Sequence, residues 1–367
     1  MHHYFCVMVN VTTNLSGTIL SCNLGDIIIT TDEEYIDVKL LFAHSTILTE
    51  RYYAYDGYVV LSNIAELFEQ YLSKSFDSLY SDCTLVASGA VQSISRVFRL
   101  YYCDKQLGID DADNFFANNF LSLSRYVRIR PDDTYRLTWY DATGLDDGYK
   151  ITASFIDENG EVQTYGEGRQ FDRTPAGCKS LLIDSAEFRD YMQHQFGNCI
   201  KLLSIMVCVG SRTVTLFIDP ELTSSRQFFF LNCFNQVERI GINGVTTEKF
   251  SSERSLAVVS RIRTQYDVSH SVEYETDSAP LTNDEALLVR QMLTSTSIKT
   301  QVDERPMSYN DFDDRPSILI TDYTCELANK PDELNSVKFT WQLSDSAVSL
   351  RAITQRVFNK VFNPTYS

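Results

Sequence analysis

The sequence predicts a mainly β fold with a few short helices, arranged as β-sandwich domains in series. Three observations carry that expectation. Aromatic residues are abundant, with 21 Tyr and 22 Phe against 2 Trp, and such rings, with Val, Ile and Thr, fit pleated half-buried surfaces. Apolar and polar residues alternate with a period of two in many short segments. Turn dipeptides separate these segments, among them Asp56-Gly57, Asn159-Gly160 and Asn243-Gly244. The strictest alternation runs from Val337 to Ser344. There Val337, Phe339, Trp341 and Leu343 fall on one face, and Lys338, Thr340, Gln342 and Ser344 on the other.

At 367 residues the chain exceeds one ordinary core, and three units are expected. The first, residues 1–123, reads as strands at 4–11, 17–22, 26–31, 36–44 and 46–55. Ser62 then caps a helix over about 63–79, with Ile64, Leu67, Phe68, Tyr71, Leu72 and Phe76 at helical spacing. Strand character resumes at 84–87 and 95–102, and the polar run 105–114 reads as a loop.

The second unit, residues 124–220, carries seven short strand-like segments: 126–130, 135–140, 150–156, 162–165, 180–183, 200–209 and 213–218. That number and spacing suit an immunoglobulin- or fibronectin-like sandwich. Trp139 is the natural core residue, and Asp157-Glu158-Asn159-Gly160 reads as a hairpin turn whose Asn-Gly pair takes positive φ. The paired cysteines of a true immunoglobulin domain are missing.

The third unit, residues 221–367, is expected to be a β-rich sheet or sandwich with one flanking helix. It opens with the apolar run Gln227 to Phe234 and continues through Val237 to Ile242 into the turn signal Asn243-Gly244. Alternating segments follow at 256–264 and 268–276. Thr282-Asn283-Asp284-Glu285 is a capping box that starts a helix over about 283–295. Strands at 297–302, 317–323 and 337–344 close the unit, and residues 347–367 form a tail.

Charge and cysteine usage narrow the function. The 49 acidic residues outweigh 32 basic ones, a net charge of −17. Such a surface disfavours phosphate backbones and anionic membranes, so neither nucleic acid nor membrane is an expected partner. The nine cysteines show no CxxC spacing, which fits synthesis in a reducing compartment. No Lys or Arg precedes Lys39, so no secretion signal is expected. No apolar run reaches the roughly 18–20 residues of a membrane span.

The chemistry-bearing residues do not assemble into a motif. Histidines at 2, 3, 44, 194 and 270 lack zinc-ligand spacing, and His270 reads as a half-buried strand residue. Gly166 and Gly168 lack the third glycine and following helix of a dinucleotide loop. Asp110-Asp111-Asp113, Asp132-Asp133 and Asp311-Asp313-Asp314 fit no calcium loop and read as solvated charge. Facing carboxylates of a glycan-active enzyme would leave no mark in sequence. No catalytic residue, cofactor-binding residue or metal ligand is assigned, and no enzymatic activity is expected.

One resemblance adds to this. Tyr101-Tyr102-Cys103 is followed by the sandwich holding Trp139. Next come Phe228 to Phe234 with Asn235-Gln236-Val237-Glu238, the capped helix, and Phe339-Thr340-Trp341-Gln342. That order resembles the large β-rich proteins of tail and baseplate gene modules in tailed phages and prophages of gut bacteria. The likeness runs over most of residues 100–345 and rests on order and pattern. It implies a virion component, made in the host cytoplasm, that forms a homo-oligomeric ring and docks to other tail or baseplate proteins. Exposed strand edges, notably in the third unit, would be the means of assembly. Expected interface residues are Phe228, Phe229 and Phe230, with Tyr52, Tyr53 and Tyr55. Those tyrosines also support an alternative: a carbohydrate- or receptor-binding adhesion module whose partner is a host glycan.

Overall fold

The computed structural model describes residues 8–344, apart from 73–78, 106–107, 147, 172–174, 197–200, 225, 260–261, 302–311, 313–314 and 327–334. The chain is mainly β with four short α-helices among the described residues. The expected strands at 4–7 and the tail at 347–367 lie outside them, as do Phe76, Asp311, Asp313, Asp314 and the side chain of His270.

The first unit contains β1 (Val9–Val11), β2 (Thr18–Leu20), β3 (Ile27–Thr31), β4 (Tyr35–Phe42), β5 (Ser45–Tyr53), β6 (Tyr58–Leu61), α1 (Ile64–Leu72), β7 (Tyr80–Ser88) and β8 (Ser93–Tyr101). A three-stranded sheet, β1-β3-β6, and a five-stranded one, β2-β8-β7-β4-β5, share one core. Ile27, Ile29, Ile36, Val38, Leu40 and Leu85 alternate inward. Helix α1 adds Ile64, Phe68 and Leu72, the i, i+4, i+8 stripe of an amphipathic helix. Two turns differ from expectation. Ala43-His44 is no strand end: both residues take positive φ, 45° and 71°, between β4 and β5. Asp56-Gly57 does turn (φ 51° and 80°), closed by a Tyr55–Tyr58 bridge, but its flanking strands then join different sheets.

The polar run 105–114 is not all loop. Helix α2 (Ala112–Asn118) begins there, with the Asp111 carboxylate accepting from the Asn114 N–H at 3.0 Å. Its buried face, Ala112 and Phe116, docks at the junction between units.

The second unit has β9 (Tyr126–Ile129), β10 (Thr134–Asp141), β11 (Gly148–Ile156), β12 (Val162–Gln170), β13 (Gly177–Asp184), α3 (Ser185–Phe196), β14 (Lys201–Val209) and β15 (Arg212–Ile218). All seven strands expected from sequence form. The pair β10-β13 packs on β12-β11-β14-β15-β9, in which β9 runs parallel to β15. This is an immunoglobulin-like β-sandwich, and Trp139 lies between its sheets at 1% exposure. Helix α3 was not expected; its Phe188 and Met192 join the sandwich core. The 157–160 turn depends on Asp157, whose carboxylate accepts from the Asn159 and Glu161 N–H groups, both at 2.9 Å. Only Gly160 there takes positive φ, 80°, so the Asn-Gly expectation holds for its glycine alone.

The third unit has β16 (Arg226–Leu231), β17 (Val237–Ile242), β18 (Gly244–Val259), β19 (Ile262–Ser278), α4 (Asn283–Leu293), β20 (Ile298–Thr300), β21 (Ile318–Glu326) and β22 (Ser336–Leu343). Sheets β17-β16-β20 and β18-β19-β22-β21 enclose a core with α4. The capping box is present: the Glu285 N–H bonds the Thr282 hydroxyl at 3.3 Å, and the Thr282 N–H bonds Glu285 Oε2 at 2.9 Å. The alternation on β22 holds, with Val337, Phe339 and Trp341 each at 1% exposure.

The three units share a fourth core. Tyr101 of the first, Tyr140 of the second and Phe234 of the third converge around Phe116 of α2. Tyr101 meets Phe116 at 4.6 Å and Tyr140 at 5.4 Å between ring centroids, and Phe116 meets Phe234 at 6.5 Å. Buried Arg212 donates to the Phe116 carbonyl at 2.8 Å and to the Tyr140 carbonyl at 3.0 Å, pinning α2 to the sandwich. A second seam runs through the buried pair Asp133–Arg239. Beside it the Tyr135 hydroxyl donates to Glu238 at 3.1 Å, and Asn232 Nδ2 donates to the Leu121 carbonyl at 2.7 Å. Burial pushes the Glu238 carboxyl up. Units joined by an aromatic core and buried polar bonds behave as one rigid body.

Candidate assembly interface

The expected interface residues separate into two groups. Phe228, Phe229 and Phe230 are at most 1% exposed, so their side chains serve the core rather than a surface. The physical reason is that β16 is central between β17 and β20, and its run lacks alternation because both faces are covered. Phe228 meets Phe339 at 5.4 Å and Trp341 at 5.7 Å. Phe229, on the other face, lies between Arg239 and Arg315, whose guanidinium carbons stand 5.6 and 3.3 Å from its ring centre. The tyrosines differ: Tyr53 is 68% exposed and Tyr55 87%, while Tyr52 is half-buried and donates to Glu50 at 2.9 Å.

The surface that stands out was missed in sequence. Strands β18 and β19, 16 and 17 residues long, pair from Gly244↔Ser278 to Val259↔Ile262. The segment read as one strand at 256–264 is therefore the end of a hairpin that turns at 260–261. Nothing in Ser260-Arg261 signals a turn, since Gly, Asn, Asp and Pro are all absent there. The Asn243-Gly244 signal, in contrast, is a passage from β17 into β18. A Cβ at 244 would collide with the Asp277 carbonyl oxygen, so glycine is needed for this close approach.

Only residues 274–277 of β19 pair with β22. Beyond them the hairpin continues as a two-stranded ribbon. From Lys249 to Val259 it extends about 35 Å at roughly 3.3 Å per residue. Residues 247–252 are all exposed on both faces, and Phe250 and Leu256 stand 64% and 59% open. A bulge where Ser255↔Asp267 gives way to Leu256↔Gln265 leaves Tyr266 as the extra residue. Among the described residues β18 pairs with β19 alone, so its outer backbone edge is open to a further strand.

The ribbon's root is fixed. Tyr274 stacks on Trp341 at 4.3 Å, and Trp341 Nε1 donates to the Thr276 hydroxyl at 3.0 Å. Lys249 and Lys338 both pair with Glu275 and hold its carboxyl down at about 2. Sequence charge along the ribbon is uneven. Residues 254–266 contain Arg254, Arg261 and Arg263 and no Asp or Glu. Without those three the chain has 29 basic and 49 acidic residues, a balance of −20.

Close to the root, a pocket of about 660 Å³ opens between β9, β15 and the first turn of α4. Exposed Tyr126 and Phe217 stack on one wall, ring centroids 6.2 Å apart. Opposite, Arg128 pairs with Asp219 at 3.2 Å and with Glu285. Asp284 adds a further carboxylate to the lining, and no ion pair engages it among the described residues.

Among the described residues no group of three or more His, Cys, Asp or Glu is placed to hold a metal ion. The acidic loop after β10 shows why a carboxylate cluster need not be a cation site. Asp141 turns inward, at 2% side-chain exposure. It accepts from the N–H groups of Thr143 (3.0 Å), Gly144 (2.8 Å) and Asp146 (3.1 Å), and from Lys179 Nζ at 2.6 Å. Among the described residues no helix is long and apolar enough to cross a membrane. The cysteines described, at 22, 83, 103, 178, 208, 233 and 325, are free thiols.

No protein-family model matches this chain, and no curated protein matches it. Among solved structures it is similar to the ectodomain of a teleost fish polymeric Ig receptor. The identity is 11%, over 57% of this chain and 97% of that one, with a TM-score of 0.17. That likeness is too slight to bear on function.

Proposed function

We propose that this chain is a structural assembly subunit, a tail or baseplate component of a tailed-phage virion, that works by docking to copies of itself and to neighbouring tail proteins. The observation that carries this reading is the β18–β19 ribbon. A two-stranded hairpin with no core of its own is marginal in water, yet this one continues far past the sheet that anchors it. A ribbon so exposed is stabilised when a partner covers its faces or extends its open edge. The body behind it suits the role, since three units joined by a common core hold the ribbon at a fixed angle. The resemblance in element order to tail and baseplate proteins supplies the biological setting.

The test is light scattering on the purified chain across concentration, with negative-stain imaging of the heaviest fraction. Rings or stacked oligomers are expected. A strict monomer that also ignores every tail protein would contradict the proposal.

A second reading has its own observation. Tyr53, Tyr55 and Tyr58 are 68%, 87% and 50% exposed on one edge of the first unit, an arrangement suited to the apolar faces of a host glycan. Glycan-array binding lost in the Tyr53→Ala/Tyr55→Ala variant would favour this adhesion role over assembly alone.

A further inference from the structure

We infer that the pocket between the sandwich and α4 receives the outer end of the ribbon from a second copy of this chain. The inference rests on the assembly reading above and specifies where the ribbon goes.

The pocket's chemistry selects its occupant. The N-terminal N–H groups of α4 are already served by Thr282, and the Glu285 carboxylate is shared between the Thr282 N–H and Arg128. An anion therefore finds no open donors there. Arg128 is one positive charge among the carboxylates of Asp219, Asp284 and Glu285, which leaves the lining net negative. The facing wall of Tyr126 and Phe217 offers aromatic faces, the surface that guanidinium groups and aliphatic side chains share. The occupant should be apolar in body and cationic in charge.

One segment of this chain has that composition. Residues 254–266 hold three arginines, Leu256, Val258, Val259 and Ile262, and no carboxylate, in a protein whose remaining charge is −20. Leu256 is 59% exposed and Arg254 is exposed, so this end of the ribbon is open to a partner. It cannot reach its own pocket. Thr282, on the pocket wall, follows the ribbon's last residue, Ser278, by four positions, so the pocket lies at the root. A paired ribbon of about 35 Å points away from its root and does not fold back. End-to-root docking between copies is heterologous, and such contacts propagate head to tail into a ring or filament.

Charge reversal tests this in the full-length chain. Arg254→Glu/Arg261→Glu/Arg263→Glu and Asp284→Lys should each weaken self-association at least ten-fold, with circular dichroism and melting temperature near wild type. Asp284→Asn should weaken it less, and Phe217→Ser should weaken it without changing charge. Both reversals in one chain should restore association. A photoreactive group at position 256 should cross-link to peptides carrying Phe217 or Asp284 of the other copy. If ribbon variants abolish association while pocket variants and cross-links leave the pocket untouched, the ribbon docks elsewhere. This inference then falls and the assembly reading stands. If no variant changes association, or the wild-type chain stays monomeric, both fall. If the arginine reversals instead abolish binding to anionic phosphatidylserine vesicles with self-association intact, the ribbon's occupant is a membrane and the inference is overturned.

Discussion

Arg239 on β17 donates its guanidinium to the Asp133 carboxylate between β9 and β10, and the two side chains are only 4% and 5% exposed. Gln227 Oε1 accepts from Arg239 Nε at 3.0 Å, and the Arg130 N–H donates to the other side of the site, Asp133 Oδ2, at 3.0 Å. A buried pair so bonded joins the second and third units through charges that neither can leave alone.

Removing one partner should therefore be costly. Asp133→Ala or Arg239→Ala strands a buried charge and should destabilise by about 3–5 kcal/mol. Replacing both with Leu and Met should cost far less, because it strands nothing. Chemical denaturation of the two single variants and the double variant measures the difference.

The shared aromatic core predicts how the chain melts. With Tyr101, Tyr140 and Phe234 packed around Phe116, the units should unfold together in one calorimetric transition. Phe116→Ala opens a cavity there and should cost about 3–5 kcal/mol. It should also split the transition, since Phe116 belongs to no single unit's own core.

Acid should weaken the fold through Asp141. Lys179 and three backbone N–H groups hold its carboxyl well below the unfolded value of about 3.9. A carboxyl lowered on folding contributes stability that is present above the unfolded pKa and lost as pH falls beneath it. Asp141→Asn should cost about 2–4 kcal/mol at pH 7. Its stability should then change less than wild type between about pH 4 and 2, which thermal melts across that range would show.

The Ala43-His44 turn stores strain. Both residues take positive φ without being glycine, a conformation that Asn-Gly adopts readily in two-residue hairpins. Ala43→Asn/His44→Gly should stabilise by about 1 kcal/mol. A rise in denaturant midpoint with an unchanged slope would confirm that the gain is local.

Much of the scaffold was legible in the sequence. The seven strands of the second unit, the Thr282 cap and the Val337–Leu343 strand all follow from period and capping chemistry. What escaped has physical reasons. Helices α2 and α3 are short and begin among polar residues. Helix α2 is fixed by burying Phe116 between units, which no local pattern reveals. The phenylalanines of β16 look like a sticky surface in sequence, and only the sheet order shows them covered on both faces. The ribbon was hidden because Ser260-Arg261 carries no turn residue, so one hairpin read as two unrelated strands. The carboxylates of the pocket come from β15 and α4, far apart in sequence, and no spacing rule could pair them.

Sedimentation velocity on a ribbon-deleted chain tests the account most directly. Residues 250–272 are replaced by Asn-Gly, which joins the paired residues Lys249 and Glu273 and keeps the Tyr274–Trp341 stack at the root. The account predicts that the wild-type chain forms larger species as concentration rises, while the shortened chain stays monomeric with the same melting temperature. Identical sedimentation of the two chains would contradict it.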